Sequence, residues 1–151
     1  MSGIYTPVTE KSVIQFNLHI NYLYIVYPDQ PTYLNFAIAP ASAPLSAKET
    51  ARFKLHVEKE GQKPLIYFVL ADVGENTGSK IASQHYEYGR TYTIRLVLSG
   101  GSMSIYINGV DVKETLSIPS GPKVFYIGYN LPTLAGADIE ITDIQVDGIL
   151  K

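Results

Sequence analysis

From Gly89 to Val146 the chain alternates apolar and polar residues in short runs closed by turn residues, a pattern few folds accommodate. Tyr92, Ile94, Leu96 and Leu98 alternate with Thr93, Arg95, Val97 and Ser99, after which Gly100-Gly101 interrupts the run. Met103, Ile105 and Ile107 then alternate with Ser104, Tyr106 and Asn108, and Asn108-Gly109 interrupts again. Successive side chains of a strand point to opposite faces, so this period places one face in a core and leaves the other wet. Gly-Gly and Asn-Gly supply the positive φ angles that tight two-residue hairpins require. The stretch therefore predicts antiparallel hairpins.

The rest of the chain follows the same rule. Between Val13 and Val26 the residues Ile14, Phe16, Leu18, Ile20, Tyr22, Tyr24 and Val26 share one face, opposite Gln15, Asn17, His19 and Asn21. That run exceeds the usual strand of about five or six residues, which predicts a bend, a bulge or two strands. Pro28-Asp29-Gln30-Pro31 reads as a turn. Thr32 to Ala39 follows with Leu34, Phe36 and Ile38 inward and Tyr33 and Asn35 outward, and Pro40 to Ala47 reads as a loop. Ala51, Phe53, Leu55 and Val57 alternate cleanly with Thr50, Arg52, Lys54, His56 and Glu58. Pro64 to Val73 is apolar on both faces, which predicts a central strand, with a polar loop from Gly74 to Lys80. Strands are also expected at Ile81 to Tyr86, Val110 to Leu116, Lys123 to Tyr129 and Asp138 to Val146. No segment combines a helical period with a cap. Roughly ten strands separated by turn signals predict an all-β antiparallel sandwich or barrel, a single domain over residues 1–151.

Composition narrows the function classes. Cysteine is absent, so disulfides and thiolate metal sites are excluded. A net charge of −2 argues against a surface built to neutralise phosphates, and hence against a nucleic-acid partner. Leu65 to Ala71, the longest apolar run, is too short for a membrane-spanning helix, and no membrane insertion is expected. Met1 to Lys11 lacks the basic-then-apolar order of a secretory signal. Either the protein stays inside the cell, or the extracellular, cell-surface or virion setting is reached by another route or as a module of a longer chain.

The order of features from Arg90 to Gly148 resembles the concanavalin A-like lectin/glucanase superfamily, laminin G-like domains included. Tyr92-Thr93-Ile94-Arg95-Leu96 is similar to its aromatic-led strand, and Ile105-Tyr106-Ile107-Asn108-Gly109 to its hairpin. Ile127-Gly128 resembles its strand-ending pair, and the alternating run Gly136 to Val146 its closing strand. Tyr92 stands where many members carry Trp, and no acidic-Asn cluster of the calcium-binding lectin type is present. The resemblance implies a two-sheet jelly roll and, as function, non-catalytic recognition of a carbohydrate or of a glycoprotein surface, with affinity raised by repetition or homo-oligomerisation. No cofactor is implied.

Each candidate site residue has a plain structural role beside its functional one. Asp138, Glu140 and Asp143 have a spacing similar to the acidic triplet of laminarinase-type glycoside hydrolases in that superfamily. Retaining hydrolysis needs two carboxyls about 5–5.5 Å apart, which same-face strand positions provide. Here the triplet lies on the last strand, swaps Asp for Glu and has no Trp or His motif beside it, so a solvated strand face is expected and the chain is read as no enzyme. His19, His56 and His85 have no partners at triad or zinc spacing, and no metal site is expected. Asn17, His19, Asn21, Tyr33 and Asn35, with Tyr106 as an outlying member, form the expected sugar surface. Amides match sugar hydroxyls as donors and acceptors, and an aromatic ring stacks on the apolar face of a pyranose. Tyr86, Tyr88, Tyr126 and Tyr129 read as tyrosines at or near turns. The second expectation, from another class, is a structural or assembly protein of a virion or appendage; a glycosidase using the acidic triplet is the third.

Overall fold

The computed structural model describes residues 3–24, 32–42, 50–60, 63–71, 79–80, 89–130 and 136–150. Its strands are β1 (Gly3–Val8), β2 (Val13–Tyr24), β3 (Thr32–Pro40), β4 (Ala51–Glu60), β5 (Lys63–Ala71), β6 (Ser79–Lys80), β7 (Thr91–Ser99), β8 (Ser102–Ile107), β9 (Val110–Ser117), β10 (Lys123–Asn130), β11 (Gly136–Val146) and β12 (Ile149–Leu150). They form two antiparallel six-stranded sheets. The first runs β1-β10-β3-β4-β5-β6 and the second β12-β11-β2-β7-β8-β9. No described residue is helical. The expected strand at Ile81 to Tyr86 lies outside the described residues, as do the turn at Pro28–Pro31 and most of the loops at Pro40–Ala47 and Gly74–Lys80.

The sheets pack face to face through the alternating positions seen in the sequence. Ile14, Phe16, Leu18 and Ile20 of β2 and Ile94, Leu96 and Leu98 of β7 meet Phe36, Ile38, Phe53 and Phe125 of the first sheet in one buried cluster. Phe16 stacks across the interface on Phe36 at 4.7 Å between centroids and lies 6.1 Å from Phe125. Rings offset in this way add to the stabilisation that burial of their area supplies.

The hairpin turns are where the sequence puts them. Gly100 and Gly101 have φ of 58° and 81°, and Asn108 and Gly109 have 51° and 80°. Asn108 also ties its turn to β7, accepting at Oδ1 from Thr93 N at 2.8 Å and donating its own N–H to Thr93 O at 2.8 Å.

The pairing of the long β2 with β11 is interrupted by bulges, between Asp138 and Ile139 and between Thr142 and Gln145. The first leaves Asn21 as the extra residue and corrects the expected facing of Tyr22. Alternation places Tyr22 with the core, whereas the bulge turns it out to 52% exposure. The second bulge puts Asp143 at φ 53°. β1 and β12 are not expected from the sequence, and neither is β6, whose Ser79 and Lys80 pair with β5 at the end of the stretch expected to be a polar loop. β1 contains Gly3 and Pro7 and is short, so its sequence carries little strand signal, and Pro is tolerated there because β1 is an edge strand.

Asp147 clamps the two ends of the fold together. Its carboxylate accepts from Ser12 Oγ at 3.1 Å and from Val13 N at 2.9 Å, while Asp147 N donates to Val13 O at 2.8 Å. Ser12 is buried and its carbonyl accepts from Leu98 N at 2.9 Å, so the clamp reaches β7 as well. Asp147→Ala removes both acceptors and places alanine at φ 55°. The expected loss is about 2 kcal/mol of unfolding free energy in urea. Asp147→Asn, which tolerates that φ and keeps an acceptor, is expected to lose less; equal stability of all three proteins would show the clamp to be idle.

Candidate functional site

The sequence-derived sugar residues do not gather on one surface. Asn17, His19 and Asn21 lie on β2 and Tyr106 on β8, in the second sheet, whereas Tyr33 and Asn35 lie on β3 in the first. The outward faces of a two-sheet sandwich point in opposite directions, so the set divides. On the second sheet the polar side chains serve one another. Thr93 Oγ1 donates to Asn17 Oδ1 at 2.9 Å, Asn17 Nδ2 donates to Asp143 Oδ2 at 3.1 Å, and His19 Nδ1 lies 2.9 Å from Thr91 Oγ1. Asn21 is exposed at its bulge and Tyr106 is half-buried. Asp138, Glu140 and Asp143 are all exposed on this side, with Glu140 opposite His19 in the ladder. His56 lies on β4 between Tyr33 and Tyr67 in register, and His85 lies outside the described residues.

The outward face of the first sheet is different, and its strand pairing shows why. Phe36, Phe53 and Phe125 point into the core, so the alternate positions Asn35, Ala37, Arg52, Val124 and Tyr126 point away from it. Yet these positions are shielded. Ala37 and Ala39 are fully buried, Tyr126 is 4% exposed, Asn35 6% and Arg52 8%. Ala37, Ala39 and Tyr126 form a second apolar cluster with Val124 against it, on the far side of the sheet from the main core.

Pairing across five strands aligns Tyr5, Tyr126, Ala37, Arg52 and Ala71 in one row. The next row holds Gly3, Gly128, Asn35, Lys54, Val69 and Lys80, and Tyr33 and His56 share a row beyond it. The first two rows contain three cationic residues and no acid, in a chain whose net charge is −2.

Tyr126 is the centre of this row. It lies within β10, the strand the sequence predicts from Lys123 to Tyr129, paired with β1 on one side and β3 on the other. Its ring stacks on Tyr5 at 5.6 Å with planes 28° apart. Burial pushes its phenol pKa above 10.0, the Arg52 cation pulls partly back, and the Tyr5 phenol adds to the rise. Tyr126 is therefore a neutral phenol at ordinary pH, close enough to Arg52 to feel its charge.

A phenol that holds its proton more tightly when folded contributes stability in full below about pH 10, the unfolded value. That contribution is lost as pH rises through the folded value. Wild type is therefore expected to lose more unfolding free energy between neutral and strongly alkaline pH than Tyr126→Phe. Parallel pH profiles for the two proteins would refute the shift. Neither Tyr5 nor Arg52 was anticipated as part of this row. Tyr5 sits in a strand with almost no strand signal, and Arg52 is one of several polar residues in an ordinary alternation. Among the described residues no three His, Asp or Glu side chains gather as a cation site.

No family model matches the chain, and no curated protein matches it. Solved structures do. A marine PL7 alginate lyase from Zobellia galactanivorans superposes with a TM-score of 0.65 at 15% identity, covering 93% of this chain and 64% of the lyase. An alginate lyase from Corynebacterium sp. gives 0.59 at 20% identity, covering 95% and 61%. Sheep galectin-11 gives 0.51 at 7% identity, covering 96% of each chain. This chain thus spans less than two thirds of the length of those lyases. The expectation of no enzymatic activity is corrected by these lyases: enzymes stand among the similar structures, and a missing sequence motif does not make this fold non-catalytic. The strand order, the two sheets and these likenesses together identify the fold as a concanavalin A-like jelly-roll sandwich.

Proposed function

We propose that the protein recognises an acidic glycan on the outward face of its first sheet. The carrying observation is the shielded row in which Tyr126 lies close enough to Arg52 for the guanidinium to act on its phenol. Arg52 presents a guanidinium, which pairs with a carboxylate through two parallel hydrogen bonds. Asn35 offers both donor and acceptor to sugar hydroxyls from the adjoining row. Tyr33, the remaining sequence-derived residue of this sheet, pairs along the backbone with Asn130 and His56. Shielding from water strengthens each of these contacts. The other sequence-derived residues, Asn17, His19, Asn21 and Tyr106, belong to the opposite outward face, where Asn17 and His19 already have partners, and they are left out of this site.

Eliminative cleavage of a uronate chain is a second reading, favoured by the neutral Tyr126 phenol beside Arg52. Such cleavage removes the proton at C5 and breaks the C4–O4 bond. A double bond forms between C4 and C5, and the departing oxygen takes up a proton. Arg52 would offset the carboxylate charge that opposes removal of the C5 proton. A protonated Tyr126 suits donation to the departing oxygen. The base is then a different group.

Titration calorimetry with alginate, polygalacturonate and neutral β-glucan oligosaccharides tests recognition. Ultraviolet absorbance of unsaturated ends tests cleavage in the same samples. Saturable binding of acidic chains, weakened by salt and absent for neutral ones, is the expected result. Binding confined to neutral chains, or to none, would sink the proposal; binding without new absorbance would remove the eliminative reading alone.

A further inference from the structure

Asn108 precedes Gly109 at the turn between β8 and β9, whereas every other asparagine of the chain is followed by Leu, Tyr, Phe or Thr. In an Asn-Gly pair the next backbone nitrogen attacks the side-chain amide readily, because the glycine carries no side chain to obstruct it. Both residues are exposed, and nothing lies within 4 Å of where a Cβ on Gly109 would stand. The fold nevertheless grips Asn108. Its Oδ1 accepts from Thr93 N at 2.8 Å, and its own N–H donates to Thr93 O at 2.8 Å. We infer that Asn108 is a deamidation site masked by this clasp, inert while the turn is closed and converted to aspartate and isoaspartate when it opens.

The chemistry needs only water. Gly109 N gives up its proton to solvent and forms a bond to Asn108 Cγ. The Cγ–Nδ2 bond breaks, and the nitrogen leaves as ammonia with a proton taken from water. Water then opens the five-membered imide at one of its two carbonyls. Opening at Cγ gives aspartate; opening at the backbone carbonyl gives isoaspartate, whose main chain runs through Cγ. The closed turn blocks the first step. Asn108, at φ 51°, occupies the narrow left-handed well. There the next backbone nitrogen lies across the Cα–C bond from Cβ, out of reach of Cγ. Rotation about that bond is opposed by the pairing of Ile107 with Val110 and by the grip of Thr93. Thr93 is itself anchored, donating from Oγ1 to Asn17, which bonds in turn to Asp143, so the clasp is tied across β7, β2 and β11. Isoaspartate adds a main-chain atom to a two-residue turn, so its formation prevents the hairpin from closing again in register.

The test incubates folded protein and guanidinium-unfolded protein at mildly alkaline pH. Peptide mass spectrometry follows conversion of residue 108, and methyl transfer by an isoaspartyl methyltransferase counts the isoaspartate. Two hydrogen bonds of about 1 kcal/mol each correspond to a factor of about thirty, so conversion is expected to be slower by at least that factor in the folded protein. Asn108→Gln, whose longer side chain forms no five-membered ring with Gly109, is expected to stay unmodified even when unfolded. Asn108→Asp keeps the acceptor for Thr93 N and is expected to match the denaturation midpoint of wild type. Equal rates for folded and unfolded protein would overturn the masking, as would a midpoint for Asn108→Asp far below that of wild type. Survival of Asn108 in the unfolded chain would overturn the site itself.

Discussion

Phe36→Ala is expected to lower the unfolding free energy by about 3–5 kcal/mol, the usual range for removing a fully buried ring. Phe36 has no exposed surface, stacks on Phe16 of the other sheet at 4.7 Å and lies 6.0 Å from Phe53 beside it. It therefore joins the two sheets and two neighbouring strands at once, and its removal leaves a cavity whose walls belong to both sheets. A domain of this size is stable by about 5–15 kcal/mol, so the loss takes a large share of the total. Phe36→Leu, which refills most of the space, is expected to recover part of it. Denaturant midpoints of the three proteins decide the matter. A midpoint for Phe36→Ala within experimental error of wild type would mean that the sheets are not joined as described.

Arg52→Gln is expected to weaken binding of an acidic oligosaccharide about a hundredfold, on the order of 3 kcal/mol. Glutamine keeps some reach and hydrogen-bonding capacity but lacks the charge, so the loss reports the charge rather than the side-chain bulk. Arg52→Lys is expected to fall between, since an ammonium supplies charge without the planar fork. Because Arg52 is 8% exposed and close to Tyr126, removing it also changes the fold's own electrostatics. With the Arg52 charge gone, its downward pull on the Tyr126 phenol goes too, and the phenol should titrate at still higher pH than in wild type. A tyrosine titration by ultraviolet difference therefore separates the electrostatic effect on the protein from the effect on the ligand. Undiminished affinity of a folded Arg52→Gln for acidic chains would remove Arg52 from the site.

Some of this was legible in the sequence because the relevant physics is local. The alternation of β7 and β8 and the Asn108-Gly109 turn follow from pleat geometry and from φ angles that few residues tolerate, so neighbouring residues suffice to read them. The excess length of β2 likewise signalled an irregularity, and a bulge is present at Asn21. Where along β2 the bulge falls was not legible, because its position depends on the register with β11. Tyr22 was accordingly assigned to the wrong face. β1 was missed because glycine and proline mask a strand whose pairing with β10 is made by the rest of the fold.

The site was less legible than the fold. Asn17 and Asn35 look equivalent in sequence, each an amide on the polar face of an alternating strand. One is bonded between Thr93 and Asp143 on the second sheet, while the other lies shielded on the first. What the sequence by itself determined was the local alternation, the turns and, up to the bulge in β2, which residues of each strand face the core, since an unbroken strand's two faces are settled by its own period. Only the tertiary structure decided which strands are neighbours, and so brought Tyr5, Tyr126 and Arg52 from three distant segments into one row. Backbone pairing between remote strands is nearly indifferent to side-chain identity. It is selected by closure of the common core, which no single segment encodes.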